Sequence, residues 1–408
     1  MRILVLDTIH GGCEIGGAFA RAGHTVDMVD VYRNTTPEVA ERAAQETYDL
    51  VVAPVHLAPE HPLLAGRSGS EPVITHHEAV RQLLAGQVPH PMIEITGAQG
   101  KTTTAHALAY LLPGPGVIHT STGTYEMPGR TLLFKKSITP ASVLAAAEKA
   151  VSLHGWLVAE ESLGVTGAGD LAIITSSSDY RCAAGKKSAL AGKISSAQKS
   201  RRLLLAPGIP SIAHADAVQL DDVARVSGTT CTIEYDGWTA AFTNPLLTQA
   251  GYRVPLALAG TAAVMLGYDP APLSTFSGVA GRMSVRKHNN ILVIDNANSG
   301  TTVETTIEAA RYARACAGSP GITLVIGTVK GDGAVCEGFP DDQILSAIGT
   351  IRPRVVIWVG DPPAQEGEPG ASCPWKIDAV FSTLEEAERS ALEKTTTGAI
   401  VLAVKTWR

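Results

Sequence analysis

The chain is 408 residues long, 45% hydrophobic and 18% charged, with 40 glycines and 24 prolines; this is a globular, loop-punctuated α/β composition with length for about two or three domains. Its net charge of −6 supplies no overall attraction to nucleic acid or to an anionic membrane surface. Six cysteines, at 13, 182, 231, 316, 336 and 373, form no CxxC pair, so neither a disulfide framework nor a zinc knuckle is expected, and a reducing cytoplasm is the expected compartment.

The chain opens on a strand at 3–6, too short an apolar run for a signal peptide, and no stretch approaches the roughly 20 apolar residues of a membrane span. A glycine-rich turn (Gly11-Gly12, then Gly16-Gly17) leads to a helix at 18–22, with further strands at 25–29 and 50–53. Strand and helix in alternation predict a parallel sheet covered by helices. The GGxxxGG run misplaces the third glycine of a dinucleotide fingerprint, so it reads as a turn and substrate edge, not an NAD site. Residues 1–88 are the expected N-terminal α/β substrate-binding domain, and 84–91 its linker.

A second domain, 89–283, opens on the strand 92–95 and the stretch Thr96-Gly97-Ala98-Gln99-Gly100-Lys101-Thr102-Thr103-Thr104, which runs into a helix ending at 112. Strand, glycine turn, Gly-Lys-Thr and helix make a phosphate cradle. Backbone N–H groups and the helix N-terminus present positive charge, Lys101 adds a full charge, and a threonine hydroxyl can ligate Mg²⁺. Ile95 stands where the common P-loop has its first glycine, and the competing reading is a plain strand-to-helix turn. Strands follow at 156–160 and 171–174. Glu160 ends the first of them, where ligands bind in open α/β sheets and where a carboxylate can hold Mg²⁺. From Arg181 to Arg202 the chain carries seven basic residues, among them Lys186, Lys187 and Lys193, and no acid. That suits a polyanionic substrate or an acyl phosphate, and equally a solvated helix face.

Residues 203–280 predict short strands at 231–235 and 240–243 and a helix near 256–266. Gly281-Arg282-Met283 follows at a domain hinge; an arginine there can hold a phosphoryl group in bidentate fashion. A third domain, 284–408, is expected from strands at 291–294, 322–326, 355–359 and 399–404 and helices at 303–317 and 384–393. Its first strand ends in Asp295-Asn296-Ala297-Asn298-Ser299-Gly300, polar residues that face a cleft or simply cap a turn. The Pro/Gly/Glu-rich stretch 361–370 reads as a surface loop.

Taken in order, these segments resemble the Mur ligase family of ATP-dependent ligases, and the resemblance spans nearly the whole chain. It implies a three-domain α/β architecture, a central P-loop ATPase domain flanked by Rossmann-like domains, with ATP and Mg²⁺ as cofactors. It implies that Gly97, Ala98, Gln99, Gly100, Lys101, Thr102 and Thr103 bind nucleotide, with Lys101 on the β/γ-phosphates. It also implies that Thr102 and Glu160 hold Mg²⁺, and that Arg282, Asp295 and Asn298 close over ATP. Lys193 falls where many members carry a carbamylated lysine. Two features depart from the pattern. Tyr180 stands where many members have a histidine for a second magnesium. Tyr252-Arg253 and Leu256 stand in place of the asparagine-rich adenine motif.

Closer strings go further: Val5-Leu6-Asp7-Thr8-Ile9-His10, Ala53-Pro54-Val55-His56-Leu57, Ile74-Thr75-His76-His77-Glu78, Ser137-Ile138-Thr139-Pro140, Glu160-Glu161-Ser162-Leu163-Gly164 and Ala184-Gly185-Lys186-Lys187-Ser188. They resemble the coenzyme F-430 synthetase family of methanogenic archaea, a branch of the Mur ligases. That resemblance implies that ATP activates a propionate of a nickel seco-tetrapyrrole as an acyl phosphate. A ring carbon then attacks, closes a carbocycle and releases ADP and phosphate. His10, His56, His76, His77, Lys186 and Lys187 are the candidate substrate residues. The histidines would meet tetrapyrrole carboxylates or ligate its nickel axially, or they are ordinary loop histidines. The rival readings are a Mur-like ligase that joins an amino acid to a carboxylate through an amide, and a regulatory ATPase that makes no covalent product. No nucleic acid or membrane partner is expected, and the oligomeric state is open.

Overall fold

The computed structural model describes residues 1–33, 35–67, 71–298, 300–318, 321–329, 339–363 and 375–406. The chain divides into two compact units, one of Met1–Leu247 with Arg253–Phe276, the other of Thr248–Tyr252 with Ser277–Arg408. Of the stretch 361–370, the part 364–370 lies outside the described residues.

The first unit holds two sheets. The N-terminal one is fully parallel, in the order Thr25–Val29, Arg2–Leu6, Leu50–Ala53, Val73–Thr75. Ile3, Leu4, Val5 and Leu6 are all fully buried, the continuous apolar run that a sheet covered on both faces requires. The glycines are where the structure corrects the sequence. The helix does not wait for residue 18 but spans Gly12–Arg21, with Gly11 at its N-cap at φ 98°. Gly16 therefore lies inside the helix: a Cβ there would sit 2.5 Å from Met28 Sδ. Its bare backbone lets the helix lie down on the Thr25–Val29 strand, and that packing outweighs the roughly 1 kcal/mol a helical glycine costs. A further helix, His76–Leu83, is fixed by a capping box in which Thr75 and Glu78 exchange hydrogen bonds. This places His76 and His77 in its first turn.

The second sheet has eight strands, ordered Ala217–Gln219, Leu203–Leu205, Leu171–Ile174, Met92–Thr96, Trp156–Glu160, Gly116–Thr120, Gly123–Met127, Thr131–Phe134. The first six run parallel and the last two form an antiparallel edge. Met92–Thr96 is central, flanked by Leu171–Ile174 and Trp156–Glu160, so the C-terminal ends of three parallel strands open side by side. One hydrophobic core joins the two sheets: Ile3, Val5, Ile15, Phe19, Ala79 and Val80 pack with Met92, Val117, Ala141, Val143, Ala147 and Leu157. Each Ile, Val, Leu, Phe or Met among them contributes about 1.5–3 kcal/mol when fully buried. The unit also contains an antiparallel meander of Ala224–Ser227, Thr230–Tyr235 and Trp238–Thr243. The helix expected near 256–266 starts earlier, spanning Ala250–Met265 with Pro255 inside it.

The second unit is built on a six-stranded sheet, ordered Ser284–His288, Ile291–Asp295, Ala399–Lys405, Ile322–Thr328, Val355–Val359, Ala379–Phe381. Only the first strand is antiparallel to its neighbour. The helix Val303–Ala317 begins at a capping pair, Thr302 with Thr305, and ends at Gly318 at φ 61°. Among the described residues, no helix is long and apolar enough to cross a membrane.

Candidate nucleotide site and the buried groups around it

The loop after Met92–Thr96 turns through two glycines that no other residue could replace without strain. Gly97 has φ 148°, and a Cβ there would lie 2.2 Å from Thr175 Oγ1; Gly100 has φ 81° and is the N-cap of the Lys101–Leu111 helix. The loop is pinned from the neighbouring strand. Ser176 Oγ accepts hydrogen bonds from Ala98 N at 3.1 Å and Gln99 N at 3.4 Å. Thr175 Oγ1 donates to Thr96 O at 3.2 Å and also reaches Gln99 O. The helix then carries Lys101, Thr102 and Thr103 in its first turn. Lys101 Nζ donates to Gly97 O at 3.0 Å and lies 3.9 Å from Glu160 Oε1. Thr102 Oγ1 donates to Glu160 Oε2 at 2.8 Å, and Ser121 N donates to the same oxygen at 3.1 Å. Glu160 is 2% exposed. Strand order thus brings Lys101 and Thr102, Ser121, and Glu160 together from three separate stretches of chain.

Ser121, Thr175 and Ser176 had no assigned role in the sequence. Ser121 and Thr175 directly follow the strands Gly116–Thr120 and Leu171–Ile174, and Ser176 comes one residue later, at the strand ends where open α/β sheets bind ligands. Strand order, not local pattern, is the signal that finds them.

The residue after Glu160 has the opposite surroundings. Glu161 is fully buried, and neither carboxyl oxygen makes a hydrogen bond of good geometry among the described residues; the N–H of Thr166 pulls its carboxyl down, but by less than burial raises it. Burial pushes its carboxyl well above the ordinary range, and neighbouring Glu94 adds to the shift. Glu94 itself accepts hydrogen bonds from Thr166 Oγ1, Gly167 N and Gly169 N, so it is Glu161 that holds the proton.

Lys193 lies on the Ala189–Ala197 helix, which Ser188 caps by accepting from Ala191 N. It is 1% exposed and its amine has no hydrogen-bond partner among the described residues. Burial, with the charge of Lys101 adding, pushes it down to about 8. The amine lies 4.4 Å from the centroid of the Tyr180 ring, a cation–π contact when protonated. Tyr180 is the residue that replaces the metal-binding histidine of the resemblance.

The six candidate substrate residues do not all meet. Asp7 directly follows the first strand, at φ 115°, and accepts from Ile9 N and His10 N. Burial alone would raise its carboxyl, but His10 and those two N–H groups outweigh burial and hold it below the usual range. The His10 and His56 rings are 4.8 Å apart edge to face, and Tyr32 touches both. His76, 2% exposed, is pushed down to about 4 by burial, against the pull of Asp7, and stays neutral. His77 turns elsewhere: its Nε2 meets Ser162 O at 3.0 Å, and burial again pushes it to about 4. Lys187 donates to Val55 O beside His56, whereas Lys186 reaches Glu60 at 3.5 Å on the exposed surface.

In the second unit, Arg282 and Asn298 are joined. Arg282 NH1 donates to Asn298 Oδ1 at 2.7 Å, and Asn298 Nδ2 returns a hydrogen bond to Gly281 O at 2.7 Å. Tyr252, expected only as a departure from an adenine motif, anchors this turn. Its hydroxyl donates to Arg282 O and accepts from Val279 N. Asp295 is 5% exposed and accepts from Ala297 N.

Comparison with known proteins defines the class first. A bifunctional folylpolyglutamate synthase/dihydrofolate synthase, crystallised with Mn, AMPPNP and L-glutamate, matches with a TM-score of 0.56 at 18% identity, over 81% of this chain and 91% of that one. The UDP-N-acetylmuramoylalanyl-D-glutamyl-2,6-diaminopimelate–D-alanyl-D-alanyl ligase of Acinetobacter baumannii matches with a TM-score of 0.55 at 14% identity, over 89% and 88%. The chain therefore has the multidomain α/β fold of the Mur ligases. In sequence, residues 285–406 match the family described as coenzyme F430 synthetase CfbE, C-terminal domain. The coenzyme F(430) synthetase of Methanosarcina acetivorans is 30% identical over 88% of this chain and 90% of its own length. That of Methanocaldococcus jannaschii is 23% identical over 48% and 49%. The chain belongs to the coenzyme F(430) synthetase family, and so to the ligases.

Proposed function

We propose that the chain is an ATP-dependent, ADP-forming cyclo-ligase. It activates a propionate carboxylate of a nickel seco-tetrapyrrole and closes the last carbocyclic ring of coenzyme F-430, in the cytoplasm. The observation that carries the nucleotide half is the convergence of Lys101, Thr102 and Glu160 within 3.9 Å at the C-terminal ends of the central strands. The substrate half is supported by family membership. In this reading residues 1–88 carry the tetrapyrrole, 89–283 the nucleotide, and 284–408 the closing groups.

A carboxylate resists attack because its leaving group would be oxide. Transfer of the γ-phosphoryl group to a carboxylate oxygen gives an acyl phosphate and ADP. Attack by the ring carbon, which loses its proton, then forms the carbon–carbon bond and expels phosphate. Lys101 is set to hold the β/γ-phosphates and balance charge on the transferring group. Thr102 and Glu160 offer hard oxygen donors 2.8 Å apart, which suit Mg²⁺; they would hold that ion, which neutralises phosphate charge when bound. Arg282, steadied by Asn298, and Asp295 are the remaining residues assigned to the nucleotide in this reading. Lys193, with its amine buried and unpartnered, is the group to be carbamylated. Ring closure is intramolecular, so positioning the propionate and excluding water are the protein's main tasks.

The test is anaerobic incubation with ATP, Mg²⁺ and the nickel seco-precursor, followed by mass spectrometry. Loss of one water from the tetrapyrrole with one ADP formed is expected. Unchanged precursor, or ADP formed only when an amino acid is added, contradicts the proposal.

A further inference from the structure

We propose that the N-terminal sheet carries a separate site for a bare first-row divalent transition-metal ion, held by Asp7, His10 and His56. These three residues each offer one donor atom, and the three atoms all lie within 4.8 Å of one another. One carboxylate and two imidazoles suit zinc, cobalt, nickel or ferrous iron rather than Mg²⁺ or Ca²⁺. Donors bound to one such ion at about 2.0–2.1 Å sit somewhat closer together than this, so filling the site needs only a small contraction. His10 and His56 are free to supply it, because both lie in turns beyond strand ends. Asp7 is the fixed member: fully buried and held by the N–H groups of Ile9 and His10.

A second observation points the same way. His56 Nε2 is buried with no hydrogen-bond partner among the described residues, while His10 Nδ1 already turns to the Asp7 carboxylate, 3.3 Å from its Oδ2. A buried polar atom left without a partner is costly and uncommon; a metal ion would supply one to His56 and take the His10–Asp7 pair as its other two donors. Tyr32 packs against both imidazoles and would hold their planes. The fully buried carboxylate would cancel one of the two positive charges, leaving a net positive centre with open positions.

The geometry also separates two sources of such an ion. A metal inside a planar tetrapyrrole offers one coordination position on each face, so it could use only one of three donors that converge from one side. Three convergent donors fit a bare ion with three adjacent positions open. The site shares no residue with the phosphate loop, and the inference does not rest on the proposed reaction.

The experiment uses tag-free full-length protein, stripped with chelator and titrated with Co²⁺. Visible d–d bands and calorimetry are read together. One equivalent should bind, give the band intensities of a four- or five-coordinate N/O site without thiolate charge transfer, and be displaced by Zn²⁺. His56→Ala and His10→Ala should each weaken binding by about 100-fold or more, while the circular dichroism of the stripped variants matches wild type. Metal should raise the Tm of wild type but not of either variant. Lys101→Ala should bind Co²⁺ as wild type does, which separates this site from the nucleotide site. Absence of stoichiometric binding, or unchanged binding in both histidine variants, overturns the inference. So does stoichiometric displacement of the bound Co²⁺ by the nickel tetrapyrrole, which would give the histidines to the macrocycle instead.

Discussion

Glu160 and Glu161 are adjacent in sequence, equally buried and opposite in circumstance. Glu160 is met by Thr102, Ser121 and, at longer range, Lys101. Glu161 is fully buried beside Glu94, and burial keeps its carboxyl well above the ordinary range. The difference generalises to two kinds of region in the first unit. Around the phosphate loop, polar groups are already satisfied by one another, so the cradle is organised before any ligand arrives. Around Glu161, Lys193, His56 and His76, polar atoms are buried without hydrogen-bond partners among the described residues, and there the native state bears a cost that a proton, a modification or a ligand relieves.

The comparison can be broken most decisively at Lys101. Lys101→Ala should lower turnover roughly 10³-fold, the upper range for losing one preorganised charge-stabilising donor, with Tm nearly unchanged; ADP production at the wild-type rate would refute its role. Glu160→Ala should cost about 10²–10³-fold, and by leaving Thr102 and Ser121 N without their acceptor it should also lower stability.

Substitutions on the unpartnered side should act in the reverse sense. Lys193 has a folded-state pKa lowered to about 8, so the unfolded chain binds more protons between about pH 8 and 10.5 and stability rises with pH there. Lys193→Met should therefore be more stable than wild type at pH 7 by about 1–3 kcal/mol, in carbonate-free buffer. The advantage should shrink as pH rises through 8 towards 10.5, and chemical denaturation at pH 7 and 10 checks it. Glu161 has the opposite sign. Its carboxyl is raised in the folded state, so its contribution is full below the ordinary glutamate range and is lost as pH rises. Glu161→Gln should match wild type at pH 4 and exceed it at pH 7. A glutamine variant that is weaker at both would show that the carboxyl is partnered after all. The smallest effect is expected at Ser176. Ser176→Ala removes one acceptor from two loop N–H groups and should raise the KM for ATP by about 2–10-fold, the worth of one net hydrogen bond.

Much of the frame was legible in the sequence because it is local. Short Ile/Val-rich runs marked strands such as Trp156–Glu160 and Val355–Val359, and Gly97 and Gly100 bracketed a turn that demands positive φ. Gly16 misled because a glycine that allows close packing and one that allows a turn look identical until Met28 is in view. Ser121, Thr175 and Ser176 were not legible because one hydroxyl beyond a strand has no periodicity. Their role exists only once the strands are ordered. Tyr252 and Asn298 likewise gain meaning through contacts made 30 and 16 residues away in sequence.

The central claim is that ATP is spent on making a mixed anhydride of the substrate's own carboxylate. The direct measurement uses precursor with ¹⁸O in the propionate carboxylate and follows the released phosphate by mass spectrometry. Phosphoryl transfer to that carboxylate predicts one ¹⁸O in each phosphate formed with ring closure. Unlabelled phosphate, with ring closure proceeding, would contradict the account.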